Sequence, residues 1–158
     1  MLEIKTYLAD TFAFNDRANR QVLARIRELP DKNEAIKFFS HLINSQNKWL
    51  ARINVYPQDP RMSWWDPVYA LDDLEGEWEK SLRAWLDFIA GKSEDDLFKE
   101  VKWVGFDGSD YIAPLKDIAL QLNYHSIHHR AQIQAIIRRQ GLEPDFVDYI
   151  GTVYRKIG

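Results

Sequence analysis

The stretch "PLKDIALQLNYHSIHHRAQIQAIIRRQG", residues 114–141, decides the fold. Its apolar residues recur every three or four positions, which is the spacing of one face of an α-helix. They include Leu115, Ile118, Leu122, Ile133 and Ile136. Pro114 suits the first turn of a helix, and Gly141 suits a C-terminal cap. The pattern predicts one long amphipathic helix from about Pro114 to Gln140, with its apolar face against a core.

Three upstream segments show the same periodicity and are also predicted to be helices. They run from about Leu2 to Leu29, from about Asn33 to Tyr56 and from about Leu71 to Ile89. Pro30 and Pro57 end the first two, because proline cannot continue a helix. With the helix at residues 114–140, these three segments make four helices, which is the number in a four-helix bundle.

The connections predict the topology of this bundle. The first two helices share a short loop, which favours antiparallel neighbours. Residues 57–70, "PQDPRMSWWDPVYA", are long enough to cross the bundle, so the second and third helices are predicted to run parallel. In residues 100–113, "EVKWVGFDGSDYIA", an Asp-Gly turn between β-forming residues predicts a hairpin. The predicted fold class is therefore all-α, an up-down-down-up four-helix bundle with a small β-hairpin inserted between helices 3 and 4. A short terminal helix is expected after Gly141.

Length and composition limit the classes of protein to which this chain can belong. The 158 residues fit a single domain, residues 1–158, and 46% of them are hydrophobic. A net charge of −3 argues against a broad surface for nucleic acid or anionic lipid. The absence of cysteine excludes disulfides, thiolate metal sites and a cysteine nucleophile. With no signal peptide and no apolar run of membrane length, we expect a cytoplasmic protein.

Three of the four histidines lie in the helix that opens this section. His125 and His129 are four residues apart, so their side chains lie on one helical face and can converge on one ion. His128 is three residues from His125, so spacing alone leaves a choice of pair. The apolar seam favours His129, because His128 is rotated about 100° away from it.

The fourth histidine, His41, lies one step off the apolar stripe of the second helix. Together with His125 and His129 it would form a three-histidine site, and three protein ligands with an open position are typical of catalytic zinc. Imidazole also suits nickel, iron, cobalt and copper. Isolated core histidines would give the same periodicity, so the pattern leaves both interpretations open. The HExxH arrangement of zinc proteases is absent, since Ser126 follows His125.

Four segments resemble the DinB/YfiT-like superfamily, a group of four-helix bundles associated with metals. They are "FNDRAN" (residues 14–19), "SHLINSQNKWLARI" (40–53), "HSIHHRAQI" (125–133) and "GLEPDFVDYI" (141–150). Ala131 stands where the superfamily commonly has glycine. The resemblance implies a metal ion held by His41, His125 and His129, and a homodimer formed through the bundle.

Two functions follow as hypotheses. The first is a metal-dependent hydrolase or thiol S-transferase, in which a divalent ion, zinc or nickel, activates a bound water or thiol against an unknown small molecule. Similarity to superfamily members that use low-molecular-weight thiols implies such a thiol as one possible substrate. The alternative is a non-catalytic metal-binding structural or stress-response dimer. Nucleic-acid binding is the least favoured, because the arginines of the first and fourth helices are typical of a solvated face.

Several further residues are candidates for the surroundings of the site. The polar candidates could line a pocket or orient a histidine, or they could be ordinary surface residues: Asn15, Asn19, Asn44, Ser45 and Gln132. Trp64, Trp65 and Trp103 lie in the connections, where they could close a pocket or cap the ends of the core.

Overall fold

The computed structural model describes residues 3–158 and contains five α-helices and one two-stranded sheet in this range. The elements are α1 (Ile4–Glu28), α2 (Asn33–Asn54), α3 (Leu74–Ala90), α4 (Glu94–Phe98), β1 (Glu100–Val104), β2 (Asp110–Pro114) and α5 (Leu115–Arg139). A single 3-10 turn, Tyr149–Thr152, follows near the C-terminus, where a short helix was predicted. The predicted helix start at Leu2 lies outside the described residues.

The directions of the four long helices confirm the up-down-down-up bundle. Lys5 at the start of α1 donates to the carbonyl of Ala90 at the end of α3, over 2.7 Å. Arg27 near the end of α1 pairs with Glu75 at the start of α3, so these helices are antiparallel. Helix α5 runs parallel to α1, because the starts of both helices share one apolar cluster and their ends share another. The crossover at residues 55–73 therefore joins two parallel helices, α2 and α3.

The predicted packing of α1 beside α2 is wrong. Each of these helices packs along α3 and α5, and the two lie across the diagonal of the bundle with few mutual contacts. The four-residue connection from Leu29 to Lys32 fixes only where α2 begins, next to the end of α1. The apolar faces then decide the neighbours, and both helices bury theirs against α5 and α3.

The core consists of two apolar clusters with a polar layer between them. One cluster lies at the end of the bundle where α1 ends, around Ile26, Phe39 and Trp78. The other lies at the opposite end, around Phe12 and Trp85. Between them, α1, α2, α3 and α5 all bury polar side chains at the same level: Asn15, Asn19, His41, Ser45, Gln46, Ser81, Ser126, His129 and Arg130. Buried polar side chains need partners, and this layer contains the candidate site.

The predicted hairpin is present, and a short helix precedes it. β1 and β2 pair antiparallel from Glu100 opposite Pro114 to Val104 opposite Asp110. Gly108, in the loop, has a φ of 81°, a conformation that favours glycine. The additional helix α4 begins with a capping box between Ser93 and Asp96. Among residues 3–158, no helix is long and apolar enough to cross a membrane.

Candidate metal centre

The structure brings together His41 of α2 with His125 and His129 of α5. The Nε2 atom of His125 lies 3.1 Å from Nε2 of His41 and 3.0 Å from Nε2 of His129. Ligand atoms of the three rings all lie within 4.8 Å of one another. His41 and His129 are buried, and His125 is partly buried. Three imidazole nitrogens from two helices therefore face one small volume.

Hydrogen bonds at the far side of two rings determine which nitrogen carries the proton. Nδ1 of His41 lies 2.8 Å from the carbonyl oxygen of Trp64, and Nδ1 of His129 lies 2.6 Å from Oε1 of Gln132. A carbonyl oxygen only accepts hydrogen bonds, so Nδ1 is the donor in both rings. Nε2 of each neutral ring then presents its lone pair to the shared volume, as a metal ligand requires.

The donor set and its spacing fit a divalent metal ion. Two nitrogens at about 2.0–2.1 Å from one tetrahedral zinc ion lie about 3.3 Å apart. The distances of 3.0 and 3.1 Å between the rings need only a small adjustment to reach that value. Three neutral imidazoles suit zinc and nickel, and the arrangement alone does not choose between them.

Burial keeps these rings neutral in the metal-free protein. It is the largest cause that lowers the pKa of His41, His125 and His129. The pKa of His125 falls to about 4, through burial first and then through the neighbouring imidazoles. At neutral pH the three side chains are therefore unprotonated and able to bind a cation.

His128 lies outside this group, although it is adjacent to His129. Its side chain is exposed, and its ring meets the ring of His129 in a T-shaped contact with 4.8 Å between centroids. The difference follows from helical phase, since His125 and His129 continue the apolar seam of α5 and His128 does not.

Aromatic side chains enclose two of the three rings. Trp65 stacks on His41 with 3.9 Å between ring centroids and 13° between ring planes. Phe38 stacks on His129 at 5.5 Å. Trp65 is 40% exposed, so it covers the site from the solvent side. The crossover thus contributes both a backbone acceptor, at Trp64, and a covering ring.

A cleft of about 230 Å³ opens beside the histidines. Its walls are His41, Ser45, Trp49, Trp64, Gln121, Leu122 and His125. Two of the three candidate ligands therefore face a space that a small molecule can enter. The rest of the wall is largely apolar, with tryptophan on one side.

The other candidate residues divide between the site and its surroundings. Gln132 orients His129, and Ser45 lines the cleft. Asn44 donates to the carbonyl of Pro67 and so fixes the crossover. Trp103 packs against Trp49 in the adjoining apolar cluster, away from the histidines.

Asn15 and Asn19 belong to a buried network that the sequence interpretation missed. The side chain of Arg130 donates to Oδ1 of Asn15 over 2.9 Å and to Oδ1 of Asn19 over 2.8 Å. Asn19 also donates to Ser126, over 2.9 Å. The sequence contains a pattern that could have predicted this network. Two pairs of polar residues, Asn15 with Asn19 and Ser126 with Arg130, are each spaced by four residues on helix faces that are otherwise apolar.

The fold and the site define a four-helix bundle whose buried polar layer gathers three histidines that could hold a metal ion. The family model of the DinB superfamily matches residues 8–133, which include all three histidines. The chain belongs to the DinB superfamily. A comparison with curated proteins finds no match.

Proposed function

We propose that the protein is a metal-dependent enzyme in which His41, His125 and His129 hold a divalent ion, zinc or nickel. The observation that carries this proposal is the convergence of the three Nε2 atoms beside an open cleft. A structural ion would be served by a closed set of ligands. Among residues 3–158, no carboxylate and no fourth histidine joins the three rings.

The reaction that we propose is thiol transfer or hydrolysis on a small molecule. When bound, the ion would supply Lewis acidity that lowers the pKa of a thiol or water beside it. In thiol transfer, a sulfur–carbon bond forms while the bond from carbon to its leaving group breaks, and the thiol proton leaves with that group. The cleft favours thiol transfer, because the walls described above hold no carboxylate to act as a general base for water.

The protein's own residues supply orientation and shielding in this proposal. The Trp64 carbonyl and Gln132 hold two imidazoles in one tautomer, so little reorganisation is needed when a ligand binds. Trp65 and Phe38 restrict the motion of the same rings. Trp49, Trp64 and Leu122 give the cleft apolar walls against which a substrate can pack.

Metal content and activity together test the proposal. Protein purified without an affinity tag for metals should bind one equivalent of zinc or nickel by elemental analysis. His41→Ala, His125→Ala and His129→Ala should each lose most of it, and His128→Ala should keep it. Equal loss in all four variants would refute the site. Loaded protein that turns over neither thiols with electrophiles nor simple esters would favour the non-catalytic alternative.

We also propose a homodimer, on the basis of the exposed face of α5. Tyr124 is 59% exposed and Ile127 is 46% exposed on this helix. Light scattering should give twice the mass of the chain, and Ile127→Glu should shift the population toward monomer. A monomer at all concentrations of the unchanged protein would rule this out.

A further inference from the structure

Two buried cations follow His41 along the same face of α2. Lys48 and Arg52 lie seven and eleven residues after His41, positions that return to nearly the same side of a helix. Lys48 is 9% exposed and Arg52 is 7% exposed. Lysine and arginine are rarely buried to this degree unless an anion accompanies them.

Within residues 3–158, neither cation forms an ion pair with a carboxylate. Nζ of Lys48 donates to the carbonyl oxygen of Met62 over 2.6 Å. Arg52 makes one long contact, 3.5 Å, to the carbonyl oxygen of Val104, and its Nε–H group is buried without an acceptor. The carbonyl of Val104 already accepts a shorter hydrogen bond, 2.6 Å, from Gln58.

Tryptophan faces provide the remaining contacts. Nζ of Lys48 lies 4.2 Å from the ring centroid of Trp64. The guanidinium carbon of Arg52 lies 4.8 Å from the ring centroids of both Trp49 and Trp64. Cation–π contacts offset part of the desolvation of these charges, but they add no negative charge. The cations remain a pair of like charges in a largely apolar setting.

Arg130 is also a buried arginine, and it differs from Arg52 in having several side-chain hydrogen-bond acceptors for its guanidinium. Its guanidinium donates to three side-chain oxygens, those of Asn15, Asn19 and Ser126. Among residues 3–158, Arg52 has no such set of side-chain acceptors. Burial lowers the pKa of both Lys48 and Arg52, and the charge of Arg52 lowers that of Lys48 further. An anion bound between Lys48 and Arg52 would supply the acceptors and the negative charge that these two side chains do not find among residues 3–158.

Lys48 and Arg52 line a cavity of about 430 Å³ between the crossover and the β-hairpin. Trp64 lines both this cavity and the cleft beside the histidines, so the two spaces are neighbours. Asp59 is the one carboxylate in the wall, and it is held by Arg61 through two contacts of 3.0 and 2.9 Å. That pairing leaves Lys48 and Arg52 available for another anion.

We propose that Lys48 and Arg52 form an oxyanion subsite for a carboxylate or phosphate group of the substrate whose reactive group lies at the three histidines. The assignment of this anion to a substrate depends on the proposed function. The helical rise from His41 is about 10 Å to Lys48 and about 16 Å to Arg52. The substrate class is therefore an elongated small molecule with an acidic group on the order of 10 Å from its reacting atom.

Binding of simple anions to the metal-free protein tests the subsite separately from the metal. Succinate and methylphosphonate are titrated at constant ionic strength, with calorimetry as the main readout and the total tryptophan fluorescence, to which Trp49 and Trp64 contribute, as the second. We expect saturable binding that Lys48→Met and Arg52→Met each weaken at least about tenfold, since a hydrogen bond to a charged group contributes about 1.5–3 kcal/mol. Which of the two anions binds more tightly identifies the acidic group.

Lys37→Met is the matched control, because Lys37 is also on α2 and lies over a tryptophan of the site, Trp65, but is exposed. It should bind both anions as the unchanged protein does. Arg52→Lys keeps the charge without the planar guanidinium, so it provides a second test if Arg52→Met does not fold, and we expect it to bind the anion several-fold more weakly.

The outcomes separate the two proposals. Failure of both anions to bind, or binding by Lys48→Met and Arg52→Met as tight as that of the unchanged protein, overturns the subsite and leaves the metal site intact. Saturable anion binding by protein that takes up no zinc or nickel supports the subsite while the proposed function fails. In active, metal-loaded protein, Arg52→Met should raise KM for an acidic substrate and leave KM for its neutral analogue unchanged.

Discussion

Nδ1 of His41 donates a hydrogen bond to the carbonyl oxygen of Trp64 over 2.8 Å. The acceptor belongs to the backbone, so the path of the crossover, and no single side chain, fixes the tautomer of this ring. The next residue, Trp65, stacks on the same imidazole. The connection between α2 and α3 therefore helps to orient and cover His41.

Trp65→Ala should loosen the site without unfolding the bundle. The ring lies 3.9 Å from that of His41 and is 40% exposed, so its removal uncovers the histidine and costs little core packing. We expect a chelator to remove zinc roughly tenfold faster, the scale on which outer contacts tune metal sites. Stopped-flow chelation measures the rate. Phe98→Ala, which removes an exposed aromatic ring on α4, is the control and should leave the rate unchanged.

Gln132→Leu should weaken metal binding through His129. The substitution removes the 2.6 Å acceptor of Nδ1, so the imidazole can turn or change tautomer. Loss of such a partner lowers metal affinity about 10- to 100-fold. Competition with a chromophoric chelator measures the affinity. Gln134→Leu is the matched variant, because Gln134 on the same helix bonds the carbonyl of Asp145 instead of a histidine. Similar losses in both variants would contradict the role of Gln132.

The metal-free protein should lose stability as the pH falls from about 6.5 to about 4. The folded pKa of His125 is lowered to about 4 from the ordinary value of 6.5, so the unfolded chain takes up a proton first and the fold is penalised over that interval. Above pH 6.5 this contribution is fully present. We expect a decrease of about 2 kcal/mol in the free energy of unfolding, allowing for partial solvation.

Urea unfolding of chelator-treated protein at several pH values checks this dependence. His125→Gln should show a shallower slope, because one of three histidines with lowered pKa values has been removed. A slope as steep as that of the unchanged protein would assign the effect to other groups.

Asn19→Leu should destabilise the bundle more than it disturbs the metal. The substitution deletes an oxygen that accepts from Arg130 at 2.8 Å and a donor to Ser126 at 2.9 Å. Leaving buried polar groups without partners costs about 1–3 kcal/mol. Urea unfolding measures the loss, and Arg83→Met, at an exposed i, i+4 pair with Glu79, should change stability by less than about 0.5 kcal/mol.

The apolar periodicity of the sequence predicted much of the architecture. Where the structure differs from that prediction, the cause is local. Helix α3 begins at Leu74 and not at Leu71, because residues 71–73 form a turn. Helix α4 was missed because five residues are too few to show an apolar period, although its "SEDD" start carries a capping-box pattern. The carboxylate of Glu94 in this helix accepts from the backbone N–H groups of Ile4 and Lys5, which satisfies the start of α1.

The candidate site could be read in part, for reasons that differ between residues. Helical phase placed His125 and His129 on the buried face, and burial confirms His129 as interior. The same reasoning could not find Lys48 and Arg52, because a lysine and an arginine on a helix are ordinarily solvated. Only their burial between the crossover and the hairpin sets them apart.

The sequence by itself determined the helices, their apolar faces and the pairing of His125 with His129, since these depend on a rise and a rotation per residue that every α-helix shares. Tertiary structure decided which distant residues meet: His41 and His125 are 84 residues apart in the chain, and their Nε2 atoms lie 3.1 Å apart. It also decided that the backbone of Trp64 orients His41 and that Lys48 and Arg52 share a cavity beside the site. Such contacts depend on how helices and connections pack, because no local rule relates residues so distant along the chain.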